Sequence, residues 1–152
     1  LKQIETNDFE SYMRLALEEA RLAFDAGEVP VGAVLVCGNE VIYRAHNLVE
    51  AQHDATAHAE LHCLREAMAK RGNRLSDCTL FVTLEPCAMC AGACVNAKLG
   101  RIVFGAFDEV AGCCGSKMDL TDQCFLHSVE VWCGILENDC KSLLTSFFQA
   151  LR

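Results

Sequence analysis

Near the start of the chain the apolar residues recur at helical spacing. Met13, Ala16, Leu17, Ala20, Ala23 and Phe24 share one face of a helix predicted over residues 8–26. Asn7 stands before it with Glu10 three residues on, a capping-box arrangement, and Gly27 supplies the stop. The period then changes. Residues 32–37 are one continuous apolar run, Gly38-Asn39 is a turn pair, and residues 40–46 return as a second strand, so the two read as a hairpin. Thr56 is positioned to cap a helix that runs to about Arg71. Residues 78–84 form a third strand, after which Pro86 starts a helix that Gly100 ends. Residues 101–106 are a fourth strand and 111–116 a glycine-rich loop, with a helical turn expected after Met118. Residues 129–133 are a fifth strand. The last helix carries Leu136, Cys140, Leu143, Leu144, Phe147, Phe148 and Leu151 along one face, with Phe147-Phe148 read as a pair of core anchors.

Buried strands that alternate with helices imply a sheet covered on both faces. The expected fold is therefore three-layer α/β/α around a five-stranded mixed sheet. No Pro/Ser-rich linker, repeat or low-complexity segment interrupts residues 1–152, which are read as a single domain.

Composition narrows the class. A chain of 152 residues, 52% hydrophobic and 22% charged, buries roughly 70% of its unfolded surface, which excludes disorder and any need for a disulfide scaffold. The longest uncharged stretch, residues 86–97, is short of the ~20 residues a membrane helix requires. The first residues hold no apolar signal region and no Met, so the native chain is expected to start upstream of Leu1. Eleven cysteines cannot all pair internally, and without an export signal they point to a reducing, cytoplasmic setting. The formal charge of −8 is not the usual profile of a nucleic-acid binder.

Two short motifs carry the chemistry: His58-Ala-Glu60 and Pro86-Cys87-Ala-Met-Cys90. Each is weak alone, since a His-x-Glu triplet is common and a Cys-x-x-Cys is also a redox motif. Their joint placement raises the signal, because both open a predicted helix. A helix N-terminus favours thiolates, and the i, i+3 spacing puts both sulfurs on one side of the turn. His58, Cys87 and Cys90 make three zinc ligands, and a fourth position left for water marks a catalytic site. Glu60, long enough to reach that water, is the proton carrier. His62 is read as a surface or interface residue, because the zinc-protease pattern needs Glu where Ala59 stands. Cys94 lies a further turn from the metal end and is read as packing, as are Cys37, Cys63, Cys78, Cys124, Cys133 and Cys140.

The combination His-x-Glu…Pro-Cys-x-x-Cys is the signature of zinc nucleobase deaminases. The chain resembles the bacterial tRNA-specific adenosine deaminases, within the cytidine deaminase-like superfamily. The resemblance runs nearly end to end: Glu28-Val-Pro-Val-Gly at 28–32, Thr56-Ala-His-Ala-Glu at 56–60, Val82-Thr-Leu-Glu-Pro-Cys-Ala-Met-Cys at 82–90, Gly115-Ser116 with Met118-Asp119, and Phe147-Phe148. It implies a hydrolase acting on the C–N bond of a cyclic amidine, converting the wobble adenosine of a tRNA anticodon to inosine. It further implies one zinc ion per chain on His58, Cys87 and Cys90, Glu60 as proton shuttle, and substrate contacts at Asn47, Ala59, Asp108 and Phe148. A homodimer that binds an anticodon loop in the cytoplasm, with no membrane association, is implied as well. Ala55 departs from the family's usual Pro, and Cys113-Cys114 and Cys124 from its usual small or polar residues.

Two other readings remain. A deaminase of a free base or nucleoside, of guanine or cytosine type, uses the same chemistry and suits the acidic charge. A non-catalytic, zinc-stabilised RNA-binding subunit would need the ligands but not Glu60. For RNA, basic residues at Lys70, Arg71 and Arg74, at Lys98 and Arg101, and at Arg152 are expected to line a groove on an acidic body.

Overall fold

The computed structural model describes residues 6–122 and 127–151. Helix α1 (Phe9–Asp25) leads into a hairpin of β1 (Gly32–Cys37) and β2 (Glu40–His46). A short α2 (Val49–Gln52) precedes α3 (Ala59–Arg71), β3 (Cys78–Leu84), α4 (Ala88–Asn96), β4 (Arg101–Ala106), β5 (Glu130–Trp132) and α5 (Glu137–Ala150). The strand order is β2-β1-β3-β4-β5, with β1 antiparallel to both neighbours and β3, β4 and β5 parallel. The mixed sheet and its flanking helices match the expected architecture.

Alternation along the central strands separates two cores. Ala33, Leu35, Leu80, Val82, Ile102 and Phe104 pack toward α3 and α4. Val34, Val36, Phe81 and Val103 pack toward α1 and α5, where Phe81 meets Phe9 edge-on at 5.7 Å. Strands buried on both faces are why these segments read as unbroken apolar runs. The parallel β3-α4-β4 crossover brings the C-terminal ends of two strands to one side of the sheet, the usual place for a ligand site in such folds.

Element ends moved where distant residues act on them. Asp8, not Asn7, precedes α1, and a 3-10 turn over Thr6–Asp8 holds Asn7 in a helical rather than a capping conformation, so no capping box forms. Thr56 does not cap α3: its N–H and hydroxyl go to Asp54 Oδ1 at 2.8 and 2.7 Å, and His58 takes the cap position. Helix α4 ends before Lys98 (φ 56), and Gly100 serves another purpose, since a Cβ there would collide with the carbonyl of Ser76. After Met118 the chain makes an antiparallel bridge between Cys114 and Asp119 rather than a helical turn. Phe147 is buried but Phe148 is 46% exposed, so the expected pair of anchors is one anchor and one surface ring. Cys133 is exposed. Cys37 and Cys78 are directly opposed on the β1/β3 ladder and disulfide-bonded, which corrects their reading as unpaired packing residues. Cys124 and Arg152 lie outside the described residues. No helix among the described residues is long and apolar enough to cross a membrane.

Candidate active site

Helices α3 and α4 aim their N-termini at one point. His58, extended at φ −84 and ψ 147, and Cys87, extended at φ −75 and ψ 178, are the residues just before them. His58 Nδ1 lies 3.7 Å from Cys87 Sγ and 3.5 Å from Cys90 Sγ. Tetrahedral zinc bonds of ~2.0 Å to nitrogen and ~2.3 Å to sulfur put such donors about 3.5 Å apart, so the three atoms fit that ion. Cys94 stands outside this donor group, fully buried, with its thiol pKa pushed up by desolvation.

The electrostatics suit a cation. The Cys87 pKa is lowered to about 3, chiefly by a hydrogen bond from Cys90, while Cys90, as the donor, is raised. The His58 pKa is raised by its hydrogen bond with Cys87. Glu60, in the first turn of α3, is 4% exposed, and burial raises its pKa. Its Oε1 is buried without a hydrogen-bond partner. A buried acceptor left unpaired is costly, and it marks a place where a donor is wanted.

His58, Glu60 and Cys87 open on a cavity of about 670 Å³, large enough for a nucleoside. Asn47, Asp108 and Phe148, singled out by the sequence, line the same cavity. Ala59 does not: it is fully buried, and its N–H is given to Asn47 Oδ1 at 2.9 Å. His62 is half-buried rather than on the surface, and its Nε2 is enclosed without a partner.

Among the described residues, the basic cluster expected to line a groove lies away from the donors. Lys70 and Arg71 close the last turn of α3 and Arg74 follows it, whereas His58 sits at its N-terminus, about 18 Å away at 1.5 Å per residue. Arg71 Nη2 pairs with Asp77 at 2.5 Å, and Arg101 Nε pairs with Glu130 at 2.7 Å. Among the described residues the charge near the cavity is instead acidic, apart from Lys141 in an adjoining hollow with Phe107, Asp108 and Phe148.

Two buried acids were missed. Glu28 accepts the N–H groups of Glu50 and Ala51 at 2.9 and 2.8 Å, holding the start of α2. Glu85 accepts from Asp108, Cys114 and Ser116. Both stand beside a proline at the edge of an apolar run, Glu28-Val-Pro and Glu85-Pro, the one hint the sequence offers.

Residues 7–152 match the family described as MafB19-like deaminase. The chain is 49% identical over 145 residues to the tRNA-specific adenosine deaminase of Bacillus subtilis (strain 168), covering 94% of this chain and 90% of that protein. A structure solved in a study of A-to-I editing by tRNA deaminases at the wobble position of transfer RNA is similar with a TM-score of 0.80 and 39% identity. It covers 88% of this chain and 99% of its own. The guanine deaminase of Bacillus subtilis is 35% identical with a TM-score of 0.61, over 64% of each chain.

Proposed function

As a member of the MafB19-like deaminase family, with tRNA-specific adenosine deaminases among its relatives, the chain acts, we propose, as a hydrolase that converts adenosine to inosine at the wobble position of a tRNA anticodon. The observation that carries this is the joining of three metal-type donors and an unpartnered, buried Glu60 carboxyl oxygen at the floor of a nucleoside-sized cavity. His58 Nδ1, Cys87 Sγ and Cys90 Sγ are the proposed zinc ligands, one ion per chain. Bound there, zinc lowers the pKa of a coordinated water toward neutrality.

Glu60 takes a proton from the attacking water and gives it to N1 of the base, then passes the proton of the added hydroxyl to the departing amine. The new C–O bond forms at the base's C6, the C6–N bond breaks, and ammonia leaves. A raised Glu60 pKa suits a group that must accept and then give a proton near neutral pH. Asn47 presents its amide nitrogen to the base, because its oxygen is committed to Ala59. Ala59 thereby contributes by orienting Asn47. Asp108 and the half-exposed Phe148 ring border the opening and are proposed to meet the target nucleotide and its neighbours.

The target must leave its stack to reach the cavity floor, which favours an anticodon loop over a duplex. The whole chain is proposed to act as one domain, as a homodimer, in the cytoplasm. The guanine-deaminase alternative shares the fold and is favoured by the acidic surroundings. Inosine formation in a tRNA with wobble adenosine, set against ammonia release from free guanine, cytosine and adenosine, separates the two. A Glu60→Gln protein serves as control: it should bind zinc and RNA while turnover falls ~10²–10⁴-fold. Retained turnover in that variant excludes the proton role of Glu60, and turnover by the wild-type protein is what a non-catalytic binding subunit could not show.

A further inference from the structure

Glu85 takes no part in the chemistry above, yet it is 2% exposed and both of its oxygens are occupied. Oε1 accepts the N–H of Asp108 at 3.1 Å and the hydroxyl of Ser116 at 2.5 Å. Oε2 accepts the N–H of Cys114 at 3.1 Å and of Ser116 at 3.0 Å. All these donors belong to the 107–118 segment, which has no helix and a single bridge. Backbone N–H groups outside a ladder need other partners when buried, and one carboxylate supplies them here.

The seat is close. A Cβ on Gly112 would collide with the Glu85 carboxyl group and with the carbonyl of Asp108. The Cys113 N–H adds a bond to the Pro86 carbonyl at 2.8 Å. The segment is thus tied to Glu85-Pro86, directly ahead of Cys87. Glu85, Asp108 and Ala111 all line the cavity, so the tie sets where its wall stands relative to His58 and Glu60.

We propose that Glu85 is a positioning residue that holds the 107–118 segment as a substrate-binding wall, and so governs substrate affinity rather than the chemical step. This rests on the deaminase reading. A carboxylate is acceptor-only, which matches a ring of donors, whereas a Gln amide would turn N–H groups toward N–H groups. Loosening a wall that positions substrate weakens binding first.

Zinc-loaded Glu85→Gln and the milder Ser116→Ala are assayed on an anticodon stem-loop RNA, with amide hydrogen exchange measured in parallel. For Glu85→Gln, KM should rise about tenfold with kcat within about threefold of wild type. Zinc content should be unchanged, and exchange should quicken at Asp108, Cys114 and Ser116. Ser116→Ala should move the same quantities less. Unchanged KM and unchanged exchange in Glu85→Gln overturn the proposal. So does a fall in kcat with zinc loss at constant KM, which would make Glu85 a support of the metal ligands. Should Glu85→Gln not fold, Ser116→Ala decides by the same readouts. A wild-type protein inert on RNA but active on free guanine would end the RNA reading alone, and the KM comparison is then made on guanine.

Discussion

Asn47 Oδ1 accepts the Ala59 N–H at 2.9 Å, so the first turn of α3 is capped by a side chain from 12 residues upstream. His58, at the cap position itself, makes no side-chain cap bond, which leaves its ring available as a ligand. One asparagine therefore both frees His58 and borders the cavity.

Those two roles separate by substitution. Asn47→Asp keeps an acceptor for Ala59 but loses the amide donors, so it should fold normally and lose activity at least tenfold. Asn47→Ala loses both, and should cost about 1–2 kcal/mol of stability in addition. Chemical denaturation alongside turnover checks this. Equal stability loss in both variants would show that the oxygen is not what holds α3.

The metal assignment has its own test. Purified protein should carry about one zinc per chain, and Cys87→Ala should lose the metal together with thermal stability, since α3 and α4 would no longer be joined at their ends. Elemental analysis of both proteins decides. Cys94→Ala should keep the metal, because Cys94 is outside the donor group. Stoichiometric zinc in Cys87→Ala would remove Cys87 from the ligand set.

What was legible divides by range. Strands over residues 32–37, 78–84 and 101–106 stand in the structure where the apolar runs place them, because burial on both faces leaves a local trace, and the half-exposed strand over 40–46 follows from the Gly38-Asn39 turn. The donors were legible from spacing, since each lies beside a helix start. Helix ends were not, because Ala59 is capped from Asn47 and Gly100 is demanded by the backbone of Ser76. Glu28 and Glu85 were hinted at only by their nearby prolines, for the same reason: apart from the Ser116 hydroxyl, their partners are backbone groups of remote segments, and backbone groups carry no sequence signal. The Cys37–Cys78 bond joins residues 41 apart, paired only by the sheet register.

His62 gives a pH prediction. Burial lowers its pKa below the ordinary histidine value of 6.5, and Arg65 nearby adds to the effect while Asp54 opposes it. The unfolded chain therefore binds a proton at a higher pH than the folded one. Stability from this group is fully present above about pH 6.5 and is lost as pH falls through the folded value. His62→Gln should flatten the fall in stability between pH 7 and 5 relative to wild type, as measured by denaturant midpoints. A variant that parallels wild type throughout would mean that His62 is free to charge in the fold.

The charge problem gives the last prediction. Sequence proximity suggested that Lys70, Arg71 and Arg74 bind RNA, yet they lie at the far end of α3, with Arg71 already paired to Asp77. Lys141 is better placed: it is exposed on α5, in the hollow that shares Val29, Leu84, Asp108 and Phe148 with the cavity. A phosphate contact there should appear in the salt dependence of binding, because each neutralised phosphate releases counterions. Lys141→Glu should weaken binding to an anticodon stem-loop several-fold and make the slope of log K against log salt shallower by about 0.7–0.9. Arg71→Glu with Arg74→Glu should leave both quantities near wild type. Titrations at several salt concentrations decide between the two ends of the molecule. If the α3 reversals weaken binding and Lys141→Glu does not, the RNA path crosses the opposite side of the sheet, and the partner copy of a dimer would have to bring that basic end to the cavity.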